Sequence, residues 1–177
     1  MSYTLLNYYQ ENNINPVPID LISKGEWDIH LTKRQNLYER QLGIPLAFLR
    51  DRNVLEFGCN SGENALVLAS MGAKLTLVEP NNQVFPRLKS LFKEFGYEKQ
   101  IVSLSEEGMD EFKADQLYDV VIAECFITHL SNPEEMIAKM CDLLVLGGIG
   151  VVSIDDNYGH FLEIIRKLVF WRVCRLR

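Results

Sequence analysis

The chain has 177 residues, enough for one domain with a substantial core. Hydrophobic and charged contents of 47% and 24% suit a globular protein, and a net charge of -6 argues against an extended nucleic-acid backbone as partner. Cys59, Cys125, Cys141 and Cys174 form no CxxC pair, no apolar run reaches about 18 residues, and the first residues lack a basic leader, so the expectation is a reduced, cytoplasmic chain with no signal peptide and no membrane span.

Residues 1–50 read as an N-terminal helical extension, or lid, ahead of a main domain over 51–177. A short helix is expected over 2–12, with Leu5, Leu6 and Tyr9 on one side. The segment Asn15-Pro16-Val17-Pro18 must be extended, because each proline restricts the residue before it. A second helix is expected over 31–43, where Leu31, Leu37, Tyr38 and Leu42 make one broad apolar face and Gly43 acts as C-cap. A short helix over 45–49 then delivers the chain to the first strand.

From residue 53 onward, strands and helices alternate with short connections. Strands are expected over 53–57, 74–79, 100–104, 118–124 and 149–154, and helices over 63–71, 84–95, 107–113 and 133–144. The runs Val120-Val121-Ile122-Ala123 and Ile149-Gly150-Val151-Val152 are continuously apolar, as strands covered on both faces should be. Asn132 precedes Pro133, Glu134 and Glu135, the residue types favoured at a helix start. This alternation predicts an α/β fold, a mostly parallel sheet with helices on both faces. Ligands of such sheets sit beyond the carboxyl ends of the strands. A last apolar helix over 160–177 reads as the closing crossover helix or as a basic contact with a membrane or partner.

The stretch Val54-Leu55-Glu56-Phe57-Gly58-Cys59-Asn60-Ser61-Gly62 is a strand, a glycine-bearing turn and the opening of a helix. Gly58 and Gly62, with three residues between them, lack the spacing of the dinucleotide fingerprint, and Glu56 would crowd a pyrophosphate. A nicotinamide-dependent oxidoreductase is therefore disfavoured. Glu79 lies 23 residues downstream of Glu56 at a strand end, placed to accept both hydroxyls of a ribose. Its alternative is an exposed strand-end acid.

Together these residues resemble class I S-adenosylmethionine (SAM)-dependent methyltransferases. Glu56 to Gly62 resembles the family's acid-x-Gly-x-Gly-x-Gly loop, with Asn60 in place of the central glycine, an exchange that a left-handed Asn backbone accommodates. Leu75-Thr76-Leu77-Val78-Glu79-Pro80-Asn81 resembles the second strand with its terminal acid. Tyr118 to Glu124, followed by His129-Leu130, resembles the fourth strand. Leu143-Leu144-Val145-Leu146-Gly147-Gly148 resembles the family's Leu-Leu-Lys-Pro-Gly-Gly turn. The resemblance covers about residues 53–155 and implies a Rossmann-like three-layer sandwich with SAM as cofactor. The family fold continues with two further strands, so this chain is expected to be a truncated member or a fragment. Its open sheet edge is expected to be covered by a second copy, a partner or missing sequence.

The resemblance implies that Glu56, Gly58, Cys59, Asn60 and Gly62 hold the methionine and ribose portions of the cofactor. It assigns Glu79 and Pro80 to the ribose side, Glu106 or Glu107 with Gly108 to adenine (either glutamate being alternatively a helix N-terminal acid), and Glu124 to the neighbourhood of the methyl group. Met109 packs either on adenine or in the core. From the extension, His30, Lys33, Arg34 and Tyr38 can reach over the site. Arg34 or Lys33 binds the cofactor carboxylate or an anionic acceptor, or forms a solvated cationic face. For the acceptor, His129, Asp155 and His160 are candidate bases toward a hydroxyl. A Mg²⁺ site from Glu124, Asp156 and Asn157 resembles the metal-dependent catechol-type enzymes, and the simpler reading is a solvated loop without metal. Cys59 and Cys125 read as packing residues. No Asn-Pro-Pro-Tyr tetrad follows the fourth strand, which argues against amino methylation of nucleic-acid bases. The expected activity is O-methylation of a small molecule. The alternative is a SAM-fold scaffold module, inactive without a partner or further sequence.

Overall fold

The computed structural model describes residues 5–12, 14, 21 and 23–153. Helices α1 (Leu5–Glu11) and α2 (Lys24–Asn36) form the extension, and a π-helical turn (Leu37–Gln41) and a 3₁₀ turn (Leu46–Leu49) lead to β1 (Asn53–Phe57). Then follow α3 (Glu63–Ser70), β2 (Lys74–Val78), α4 (Phe85–Glu94), β3 (Ile101–Ser105), β4 (Tyr118–Ala123), α5 (Pro133–Asp142) and β5 (Leu144–Val152). The five strands are parallel and lie in the order β3-β2-β1-β4-β5. The expected α/β, Rossmann-like sheet is present, and none of the helices among the described residues is long and apolar enough to cross a membrane.

Burial follows the apolar runs. Val54, Leu75, Leu77, Val120 and Ile122 pack on one side of the sheet with α3 and α4. Leu55, Phe57, Val78, Val121 and Ala123 pack on the other with Met109, Phe112, Met136 and Met140. Phe57 lies beside both Val78 and Ala123, so Gly58, Glu79 and Glu124 leave the three central strands at one level. Glu56, one residue earlier, shares a face with Val54 and looks toward α3 and the extension.

Several expected boundaries are corrected. The second helix starts at Lys24, seven residues earlier than expected, because Ser23 and Glu26 form a reciprocal capping box: Glu26 N–H donates to Ser23 Oγ (3.2 Å) and Ser23 N–H to Glu26 Oε2 (2.8 Å). It ends in the π-helical turn, and Leu42 is exposed rather than part of the apolar face. No helix forms over 107–113. Met109 and Phe112 anchor that segment in the core, and Lys139 Nζ donates to the carbonyls of Asp110 (3.0 Å) and Phe112 (2.7 Å), which a helix would have used internally. Strand β5 begins at Leu144 rather than residue 149. Tyr118 pairs with Leu144 and Val120 with Ile149, so two steps on β4 face five on β5, and Gly147-Gly148 lies in that bulge instead of preceding the strand. The extended segment expected at 15–18 and the helix at 160–177 lie outside the described residues.

Candidate functional site

The loop after β1 is shaped by two backbone positions. Gly58 (φ 68°) and Gly62 (φ 88°) are left-handed, and a Cβ on either would lie 2.9 Å from the Phe126 ring or from Leu88. Asn60 is also left-handed (φ 50°), as expected for an asparagine replacing glycine, and this turns its N–H toward β2. That N–H donates to Glu79 Oε2, and the Asn81 N–H donates to Glu79 Oε1, both at 2.9 Å. Glu79 thus ties the loop after β1 to the loop after β2. Burial raises its pKa, while the hydrogen bonds from Asn81 and Asn60 pull it down. Cys59 is buried, and that burial pushes its thiol well up, which suits a packing residue.

Glu56 is the second acid of the loop. Its side chain is 4% exposed, and its Oε2 meets no hydrogen-bond partner among the described residues. Burial, then the nearby negative charge of Glu124, pushes its pKa up to about 8; Glu79 adds to this and Arg34 opposes it.

Over these strand ends lies α2. Arg34 donates to both Glu124 oxygens (Nη1 at 3.3 Å, Nη2 at 2.6 Å), and its Nη2 also donates to the Tyr38 hydroxyl at 2.7 Å. Burial works against the Arg34 charge, yet Tyr38 and Glu124 hold its pKa above the ordinary value. Burial raises the Tyr38 hydroxyl as well. His30 is buried one turn earlier on α2 and donates from Nε2 to the Glu63 carbonyl at 3.1 Å; burial lowers its pKa. Glu63 in turn accepts from Ser61 Oγ (2.6 Å) and Arg87 Nε (3.1 Å). His30 therefore anchors α2 to α3 rather than reaching over the site, and Lys33 is exposed.

The remaining candidates are more dispersed. Pro80 follows Glu79 directly. Glu106 and Glu107 are exposed beyond β3, where Asn82 Nδ2 donates to Glu106 (3.1 Å) and Ser105 Oγ donates to Glu107 (3.0 Å). Gly108 follows, and Met109 joins the core. His129 is exposed at the end of a 3₁₀ turn after β4. Asp155, Asp156, Asn157 and His160 lie outside the described residues. Among the described residues no group of three or more His, Cys, Asp or Glu is arranged to hold a metal, and Glu124 is already engaged by Arg34.

Sequence reasoning did not single out Phe126, which lies over Gly58, or the buried Asn81, whose Oδ1 also lacks a partner among the described residues. A signal for Asn81 was its place two residues after the strand-end acid. Nothing in the sequence marked Phe126.

This donor set fits a ligand carrying an amine and a diol. Glu56 offers an unused buried acceptor, Glu79 retains lone pairs beyond its two backbone bonds, and Gly58 and Gly62 keep side chains away from the loop. SAM carries both groups.

Comparison with known proteins agrees with that chemistry. A family model described as a methyltransferase domain matches residues 31–177. Ubiquinone biosynthesis O-methyltransferase of Rickettsia canadensis is 27% identical over 100 residues, 56% of this chain and 41% of that protein. The tRNA U34 carboxymethyltransferase of Vibrio atlanticus is 27% identical over 124 residues, 68% of this chain and 38% of that protein. The matches thus span well under two thirds of these relatives. Magnesium protoporphyrin IX methyltransferase of Synechocystis PCC 6803, solved with bound SAM, shares the fold at a TM-score of 0.60 and 15% identity, over 79% of this chain and 70% of that one. With its parallel sheet, its glycine loop and a family match over most of its length, the chain belongs to the class I SAM-dependent methyltransferases.

Proposed function

We propose that this chain binds SAM and transfers its methyl group to a hydroxyl of a small-molecule acceptor. The observation that carries the reading is the pair of buried acids at adjacent strand ends, with Glu79 tying two loops and Glu56 keeping an open oxygen. The cofactor supplies an electrophilic methyl on a sulfonium, so the protein mainly positions two reactants and excludes water. In this reading Glu79 accepts the ribose hydroxyls and Glu56 accepts from the cofactor's ammonium. Gly58, Asn60 and Gly62 line the methionine side, Pro80 stands with Glu79 on the ribose side, and Glu106, Glu107 and Gly108 lie on the adenine side. The extension acts as a lid: α2 covers the strand ends, and Arg34, held by Glu124 and Tyr38, stands where a carboxylate would enter.

On the acceptor side, His129 takes the hydroxyl proton. Two relatives differ in what their names say, one an O-methyltransferase and one a tRNA carboxymethyltransferase. The net charge of -6 favours a small acceptor over an RNA backbone, and the dispersed cysteines suit a reduced, cytoplasmic setting.

The test is calorimetry with SAM and its demethylated product S-adenosylhomocysteine (SAH), followed by turnover against a panel of hydroxyl and amine acceptors. Absence of heat with either ligand, on folded protein, contradicts the cofactor site. Turnover of a hydroxyl acceptor that falls by about 10²–10⁴-fold in His129→Ala, with SAM affinity kept, supports the assigned base. Turnover confined to amines or RNA contradicts the acceptor class, and binding without any turnover favours the scaffold module.

A further inference from the structure

Glu56 is in an unusual position for a carboxylate. It is buried beneath the loop after β1, with one oxygen lacking a donor among the described residues. The charged and titratable groups that face it come from every neighbouring element. Glu124 follows β4, Glu79 follows β2, Arg34 and Tyr38 belong to the extension, and Cys59 sits in its own loop. Two of these are acids, and the cation Arg34 is committed to Glu124 through two hydrogen bonds and to Tyr38 through a third. With its side chain only 4% exposed, an ionised Glu56 would be a buried charge beside like charges, whereas a neutral carboxyl avoids that penalty.

We propose that Glu56 carries a proton before the cofactor binds and yields it to solvent when the cofactor's ammonium is seated against it, coupling binding to the release of one proton. The O–H bond of the carboxyl breaks, the proton passes to buffer, and the resulting carboxylate accepts a hydrogen bond from the incoming ammonium. The inference rests on the reading that SAM occupies this site with its amine at Glu56. It goes beyond that reading because a carboxylate already ionised would bind the same ammonium without releasing anything. Burial and Glu124 hold the carboxyl at about 8, well above its ordinary value, which agrees with this geometry.

The experiment is titration calorimetry of the whole chain with SAM and with SAH at pH 6.5, in phosphate, MES and imidazole. The ligand amine is protonated at that pH, and these buffers differ in protonation enthalpy. The slope of observed heat against buffer enthalpy counts protons. The expected slope is about one proton released for both ligands, falling to near zero in Glu56→Gln. Infrared difference spectra of the unsubstituted protein give a second readout, the loss of a carboxylic C=O band on binding, which does not depend on the variant folding. Binding heat that is independent of buffer, release that survives Glu56→Gln, or release with SAM alone would each overturn the proposal. Absence of binding by both ligands would instead remove the cofactor reading, and this inference with it.

Discussion

Glu56 and Glu79 are the same residue type, at the carboxyl ends of adjacent strands, and both are at least nine-tenths buried. Their surroundings are opposite. Each Glu79 oxygen accepts a backbone N–H at 2.9 Å, from Asn60 or Asn81, so the fold itself satisfies that carboxylate. Glu56 has an oxygen that the described residues leave without a donor, an acid on either side, and an arginine already paired elsewhere. Burial raises both acids; at Glu79 the two backbone N–H donors offset part of that rise, and at Glu56 the described residues supply Oε2 with none. Glu79 is a structural tie with acceptor capacity to spare, and Glu56 has an oxygen for which the described residues provide no donor.

The comparison can be broken most severely at Glu79. Glu79→Ala removes the acceptor of the Asn60 and Asn81 N–H groups, and at ~1–3 kcal/mol per lost bond the loss in chemical denaturation is about 2–6 kcal/mol, with SAH binding lost as well. Arg34→Ala is expected to cost about 3 kcal/mol, since it leaves the largely buried Glu124 carboxylate without its ion-pair partner. Adding Glu124→Gln to that variant should recover much of the loss, which a double-mutant cycle measures directly.

Glu56→Gln separates stability from binding. Its stability at pH 7 should change by less than ~1 kcal/mol, because a neutral side chain replaces a neutral one, while SAH affinity falls ~10–30-fold. The same variant tests the pH dependence. Between the ordinary carboxyl value and about 8, folded Glu56 keeps a proton that the unfolded chain gives up. Stability without ligand therefore falls as pH rises through that window, and Glu56→Gln removes this part of the slope. His30 acts in the opposite sense. Its lowered pKa means the unfolded chain takes up protons first, so its contribution is lost as pH falls below 6.5. Subtracting the variant's pH curve from that of the unsubstituted protein isolates Glu56 from His30.

The smallest effect is expected at Asn60. Asn60→Gly keeps both the left-handed turn and the N–H that reaches Glu79, so stability should move by no more than ~0.5 kcal/mol. Asn60→Val, β-branched at φ 50°, should cost about 1–2 kcal/mol.

Much of this was legible in the sequence where the signal is local. The strands expected over 53–57, 74–79 and 118–124 match β1, β2 and β4 to within one residue, and the strand-end acids Glu56 and Glu79 fell where the motif spacing put them. Where the outcome depends on tertiary partners, sequence reasoning failed. The segment over 107–113 has helical composition, but its apolar residues were claimed by the core and its carbonyls by Lys139. The early start of α2 was written in the capping box at Ser23 and Glu26, a local signal that the apolar periodicity overshadowed. The bond from Arg34 to Glu124 spans 90 residues of chain, and nothing in either neighbourhood announces it. That Glu56 is an acid was plain; that its Oε2 meets no donor among the described residues emerges only once β4 and α2 are packed beside it.

The most direct test of the central claim is a crystal structure of this chain with SAH. The account predicts the ribose hydroxyls on the Glu79 carboxylate, with its bonds from Asn60 and Asn81 kept, and the ligand's amine within hydrogen-bond distance of Glu56. Ligand density away from these two acids, or an amine bound elsewhere while Glu56 Oε2 still has no donor, would contradict it.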